Sequence, residues 1–282
     1  MKKRLSRPLV LLALLLLLTP ASANSTPTRL DGVGGSTLAV DENCPVTVSA
    51  ETLRFQIEEE EDGYGRLAAR VTAVYQMENP TDEALTVPMA FYLEKRKGQA
   101  GSGLELSEVS VTADSQPLPF TQQEVENDDP DRERTALLYT VEFPAGGTRE
   151  VAVRYPSLSY SVQEGTTHRK HTFTYLLSPA RHWAGFGTLN VEISTPEEAP
   201  YIIDSTLPLE ETGERRYTAR FDGLPEGELE FTLYPKSSVT LLDRANALLQ
   251  NAAYAMFFLG PVLLVIVVLV VIGVLLRRQR KG

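Results

Sequence analysis

The chain has 282 residues, 43% of them hydrophobic, with 27 Lys and Arg against 37 Asp and Glu and a formal net charge of −10. That surplus of acid disfavours nucleic acid as a partner, because its recognition rests on neutralising phosphates with Lys and Arg. One cysteine, Cys44, excludes an internal disulfide framework. In Asn43-Cys44-Pro45 it reads as a lone, quiet thiol, since a segment of about 200 residues can bury an adequate core without staples.

In chain order, the first expected element is a secretory signal peptide over 1–23. Lys2, Lys3, Arg4 and Arg7 precede the apolar core Leu9–Leu18, and Ala21-Ser22-Ala23 supplies small residues for cleavage. Residues 24–41 are rich in Ser, Thr and Gly without a sustained period, and are expected to form a flexible leader. From there the period is two. Leu53, Phe55 and Ile57 alternate with polar neighbours; so do Leu67 to Met77 and Leu85 to Leu93 at every second position. One apolar and one polar face mark half-buried antiparallel strands. Asp62-Gly63-Tyr64-Gly65, Asn79-Pro80-Thr81-Asp82 and Pro144-Ala145-Gly146-Gly147 supply turns between them.

The expected architecture is therefore an all-β ectodomain of one or two antiparallel, Ig-like β-sandwich domains. A first sandwich is placed over 42–155 and a second β domain or subdomain over 156–236, with a boundary near Pro156; a single larger sandwich is the alternative. Pro196, Pro200, Pro208 and Pro225 are confined to strand ends and loops.

Residues 237–254 change to a helical period. Ser237 or Ser238 can cap, and Leu241, Leu242, Ala245, Leu248 and Leu249 share one stripe. A single C-terminal transmembrane helix is expected over 255–276. Its centre, Phe257–Leu276, holds no charged residue, and at about 1.5 Å per residue twenty residues cover about 30 Å, the hydrocarbon thickness of a bilayer. Residues 277–282 form a basic tail. Eight of the Lys and Arg lie at the extreme ends, and the other 19 share the middle with all 37 acidic residues. Basic flanks stay on the cytoplasmic side, so the expected topology is type I single-pass, with the acidic ectodomain outside the cytoplasm.

The most distinctive local stretch is Phe173-Thr174-Tyr175-Leu176-Leu177-Ser178-Pro179-Ala180-Arg181-His182-Trp183-Ala184-Gly185-Phe186-Gly187. Ser178 can cap a short helical turn that Pro179 begins and Gly185 ends. Trp183, the only tryptophan, is expected to pack over the end of the sandwich. Arg181, His182, Trp183 and Phe186 are the candidate binding or structural loop residues. This pattern, with Val74-Tyr75-Gln76-Met77-Glu78-Asn79-Pro80 upstream, resembles one in uncharacterised bacterial single-pass surface proteins. The resemblance implies a signal peptide, a β-rich ectodomain, a C-terminal span and a bacterial cell-envelope location; it supplies no catalytic residue.

His168, His171 and His182 fall close together in sequence, but strand geometry would place them apart, so no zinc centre is expected. Glu58-Glu59-Glu60-Glu61-Asp62 and Asp128-Asp129-Pro130-Asp131 lack the spaced ligands of a calcium loop. His168-Arg169-Lys170-His171 is a basic patch in an acidic ectodomain. No nucleophile elbow, phosphate loop or His-Glu-x-x-His pattern occurs. The sequence thus points to a membrane-anchored, non-enzymatic binding or accessory module without cofactor or metal, contacting another envelope protein, a peptide or a glycan. The alternative is an envelope hydrolase whose residues are dispersed among the loops.

Overall fold

The computed structural model describes residues 23–27, 43–59, 65–96, 108–126, 130, 132–163 and 165–249, together with 266, 268, 269, 271 and 272. In chain order the strands are β1 (Ala23–Pro27), β2 (Thr47–Glu59), β3 (Leu67–Glu78), β4 (Leu85–Arg96), β5 (Ser110–Ala113), β6 (Gln116–Pro117), β7 (Thr121–Val125) and β8 (Arg132–Phe143). There follow β9 (Thr148–Leu158), β10 (Tyr160–Val162), β11 (Lys170–Tyr175), β12 (Phe186–Ser194), β13 (Tyr201–Ser205), β14 (Glu210–Gly213), β15 (Arg216–Asp222) and β16 (Leu229–Tyr234). The fold up to Tyr234 is all-β, as alternation indicated.

The strands form an eight-stranded sheet of order β14-β15-β12-β2-β3-β9-β5-β6 and two four-stranded sheets, β1-β4-β8-β7 and β10-β11-β16-β13. The two small sheets cover one face of the long one. Phe91 of β4 meets Tyr155 of β9 at 5.4 Å between ring centroids, and Phe55 of β2 meets Phe231 of β16 at 5.1 Å. Phe173 of β11 completes an aromatic group with Phe55 and Phe231. One continuous buried cluster runs from Val46 through Phe91 and Tyr155 to Leu233. Burial of these side chains is what holds the layers together.

Three expectations are corrected here. Pro156 is not a boundary: it lies within β9, opposite Arg70 of β3, and strands from both sides of it share the long sheet. The sandwich is not wholly antiparallel, nor is its strand order Ig-like, because β12 runs parallel to β2 from Phe186↔Val48 to Ser194↔Gln56. A pattern of period two carries no record of strand direction, which the long connection from β2 to β12 decides. The leader is ordered at its start: Ala23–Pro27 pairs with β4, Ala23 opposite Leu93. Main-chain hydrogen bonds to an open sheet edge need no side-chain period. Residues 28–41 lie outside the described part, as do residues 1–22 of the expected signal peptide.

Inside β2 the chain changes parity. Cys44, Val46 and Val48 are buried, and then Glu51, Leu53, Phe55 and Ile57. The switch is a β-bulge: Val48 faces Met77 and Ala50 faces Gln76, so Ser49 is an extra residue in β2. On the other side of β2, Gly187 stands opposite this bulge, where a Cβ would meet the Ser49 main chain.

Residues 241–249 are an α-helix, α1. Its cap is Thr240, not Ser237 or Ser238. Thr240 Oγ1 accepts from Asp243 N at 3.1 Å, while the Asp243 carboxylate accepts from Thr240 N at 3.1 Å, a reciprocal pair that satisfies two main-chain donors. Among the described residues no helix is long and apolar enough to cross a membrane. The run expected to span lies outside them, apart from residues 266, 268, 269, 271 and 272, which are helical.

Candidate functional site

Arg181, His182, Trp183 and Phe186 sit on the connection from β11 to β12. Ser178–His182 is a single 3-10 turn with proline at its start, as expected. Its cap differs from expectation. The N-cap position is Leu177, and the carboxylate of Glu228 accepts from the main-chain N–H groups of both Leu177 and Ser178, the latter at 3.1 Å. A carboxylate holding two N–H groups of a turn is a strong, charge-assisted arrangement that Ser178 would only partly match. Replacing Glu228 with alanine is therefore expected to cost about 1–2 kcal/mol, read as a shift in the urea midpoint at unchanged slope.

Trp183 is buried at 6% exposure, whereas Arg181 and His182 are exposed and Phe186 packs half-buried against the core. Arg181 reaches the Pro225 carbonyl at 3.3 Å. The structure therefore does not bring the four candidates together as one surface. Trp183 belongs to the buried core cluster, as a large ring beside a strand end should.

A more open feature lies where three connections meet at one end of the long sheet. A groove of about 510 Å³ is lined by Ile57, Glu58 and Glu59 of β2, by the segment Ser194–Glu198 after β12, and by Glu214, Arg215 and Arg216 of the β14–β15 turn. Its walls are tied by main-chain bonds. Thr195 N donates to the Arg215 carbonyl at 3.0 Å, and Thr195 Oγ1 donates to the Pro200 carbonyl at 2.9 Å. Arg215 holds a positive φ of 57°, an uncommon backbone state for a residue with a side chain. Among the described residues the lining carries five carboxylates and two guanidinium groups, with Ile57 and Pro196 as its apolar part. Only Glu58 and Glu59 were flagged by the sequence. The rest come from turns up to about 150 residues away, for which no local pattern exists.

Two further groups are buried in the core. Glu51 is fully buried, and Tyr175 Oη–H donates to its Oε1 at 2.7 Å; Tyr75 Oη–H in turn donates to Tyr175 Oη at 2.8 Å. Glu51 Oε2 has no hydrogen-bond partner among the described residues. Loss of hydration pushes the carboxyl up to about 7 against the two tyrosine hydrogen bonds that favour its charge. Burial and the nearby carboxyl hold both tyrosine hydroxyls well above their ordinary value. A sequence signal existed: Glu51 shares the parity of Leu53, Phe55 and Ile57.

The second group is His171 with Ser159 and Ser161. Both hydroxyls lie on Nδ1, at 3.3 and 2.9 Å, and Ser159 Oγ also accepts from Leu67 N at 3.0 Å. Burial, then the Arg169 charge, push the imidazole down to about 4, so it is neutral above that. A hydrolytic triad gives Nδ1 to a carboxylate and Nε2 to the serine. Here the serines occupy Nδ1 and Ser159 is fully buried, so the cluster ties β10 to β11 and to the start of β3. His168 packs on the Tyr234 ring at 5.9 Å and His182 lies beyond the other end of β11, so the three histidines do not converge. Among the described residues no three His, Cys, Asp or Glu side chains stand close enough to hold a metal ion.

Fold and groove together define an all-β sandwich with an open polar groove at one end. No family model and no curated protein matches the chain. Solved structures do resemble it. A candidate nutrient-binding protein of Legionella pneumophila superposes with a TM-score of 0.53 at 14% identity, covering 77% of this chain and 73% of that one. An M1 zinc metallopeptidase of Deinococcus radiodurans gives a TM-score of 0.31 at 11% identity, covering 67% of this chain and 42% of the peptidase. At these identities the first likeness shows shared fold alone, and the second carries no argument about this chain.

Proposed function

We propose that the chain is a membrane-anchored, non-enzymatic binding module of a bacterial cell envelope, whose groove receives a cationic segment of a partner protein or peptide. The observation that carries this is the groove itself: five glutamates from the end of β2 and two sequence-distant loops around an open groove of about 510 Å³, with Thr195 tied to Arg215 through the main chain. The two arginines at one side give it polarity, so that a bound chain would be oriented by charge. The first likeness, to a protein described as binding nutrients, agrees with a binding role without naming a ligand. Anchoring rests on the apolar run Phe257–Leu276 and the basic residues on both flanks of the chain.

The test is the affinity of a lysine- and arginine-rich peptide for the full chain. Exposed ion pairs are worth about 0.5–1 kcal/mol each, so the double variant Glu58→Lys, Glu198→Lys is expected to weaken binding about five- to thirtyfold. The loss should shrink as salt rises. Equal affinity of the variant and the unaltered chain would refute the groove as the binding surface.

A further inference from the structure

The helix α1 faces two ways. Asp243 and Ala247 are buried against the sandwich at 2% and 3% exposure, while Leu241 at 82%, Leu242, Leu248 and Leu249 stand in the open. At about 100° per residue, the four leucines and Ala245 fall on one stripe, and Asp243 and Ala247 fall on the opposite side of the helix. An amphipathic surface helix ordinarily turns its apolar stripe toward its own core. This one is docked by its polar side.

The docking is specific. Asp243 Oδ1 accepts from Lys236 Nζ at 2.6 Å, its Oδ2 accepts from Thr240 Oγ1 at 2.8 Å, and Thr167 Oγ1 donates to the Asp243 main-chain carbonyl at 3.1 Å. Asp243 thereby joins the helix start to the preceding segment and to the loop over 165–169. These partners, the Lys236 hydrogen bond foremost and then the two from Thr240, hold its carboxyl below the usual range. The leucine stripe is thus fixed outward by bonds on the opposite face. Seven residues, 250–256, separate Leu249 from the uncharged run Phe257–Leu276. Fully extended they reach at most about 25 Å, so the stripe cannot lie far from wherever that run sits. Arg244, at the border of the stripe, and Arg169, two residues after Thr167, are both exposed, placed as cationic side chains are at a headgroup layer.

We infer that α1 lies in the surface of the lipid bilayer with Leu241, Leu242, Leu248 and Leu249 among the acyl chains, and that the Asp243 clamp holds the β-sandwich at a set orientation to that surface. The inference rests on the anchoring proposed above and adds to it. A sandwich on a flexible stalk would sample all orientations, whereas a clamped interfacial helix presents the same end of the long sheet outward at all times.

The test uses the full chain in nanodiscs of equal phosphatidylcholine and phosphatidylglycerol. Single nitroxides are introduced by Leu242→Cys, Leu248→Cys, Val267→Cys and, as a water reference, Arg181→Cys; the unsubstituted chain controls for buried Cys44. Labels at 242 and 248 are expected to show an oxygen-to-nickel accessibility ratio several-fold above that at 181 and below that at 267. If 242 and 248 match 181 while 267 is deep, the anchor stands and the interfacial helix is refuted. If 267 also matches 181, anchoring itself fails and the inference falls with it. If protection at 242 and 248 is seen at several copies per nanodisc and disappears at one copy per nanodisc, the stripe is covered by a second copy and the lipid assignment is overturned. For the clamp, the distance distribution between labels at Glu211→Cys and Leu248→Cys is expected to widen on Asp243→Ala. An unchanged width would overturn the assignment of orientation to Asp243.

Discussion

Gly187→Ala is expected to destabilise the fold by about 3 kcal/mol or more, at the upper end of what overpacking costs. Gly187 lies in β12 opposite Ser49, the extra residue of the β2 bulge. A Cβ there would come within 3.0 Å of the Ser49 carbonyl carbon and closer still to its oxygen. Both are main-chain atoms of a central strand and cannot rotate aside, so β2 and β12 must separate locally. Such a glycine marks a close approach of two backbones. Gly185 is a milder case, since a Cβ there meets the Thr47 Cγ2 methyl at 3.3 Å, and that side chain can adjust. Gly185→Ala should therefore cost clearly less than Gly187→Ala in the same urea titration. Equal and small losses for both would show that the bulge relaxes freely.

The bulge also explains which parts of this fold were legible in sequence. Alternation along Leu67–Met77 and Leu85–Leu93 identifies β3 and β4, because their side chains alternate without interruption between core and outer face. The 3-10 turn was legible from Ser178-Pro179 and the burial of Trp183 from its size. What could not be read was anything set by distant pairing: the parallel β2–β12 contact, the absence of a break at Pro156, and the gathering of Glu58, Glu198 and Glu214 around one groove. Each depends on register between segments far apart in the chain, and period two is silent about register partners. The α1 stripe was visible as a stripe, but its direction was not. The exposure of its leucines and the Asp243 bonds on the opposite side show that it faces away from the sandwich.

Glu51 carries the other large effect, and it follows from the same bulge. Were Ser49 an ordinary ladder residue rather than a bulge, β2 would keep its even positions inward and turn Glu51 to solvent; with the bulge, Glu51 faces Tyr175 across the sandwich. Its carboxyl, pushed from 4.5 up to about 7 by burial, holds a proton that the unfolded chain releases between those values. Stability therefore falls as pH rises through that window, by about 3 kcal/mol in all. His171 works in the opposite sense. Pushed from 6.5 down to about 4, it lacks a proton that the unfolded chain binds, so stability rises with pH across most of the same range. The two slopes oppose each other from about pH 4.5 to 6.5, which flattens the profile of the unaltered protein. Glu51→Gln removes one of them. Glutamine keeps an acceptor for the Tyr175 hydroxyl and places an N–H group where the protonated acid would place its own unpartnered hydrogen at Oε2. The variant should match the unaltered chain within about 1 kcal/mol at pH 5 and exceed it by about 2–3 kcal/mol at pH 8. Its stability should climb between pH 4 and 6.5, where His171 now acts unopposed. Urea titrations at pH 5, 6.5 and 8 measure this directly. A variant less stable than the unaltered chain at pH 8 would mean that Glu51 is held charged in the core by its tyrosines, and that the buried carboxylate stabilises the sandwich rather than straining it.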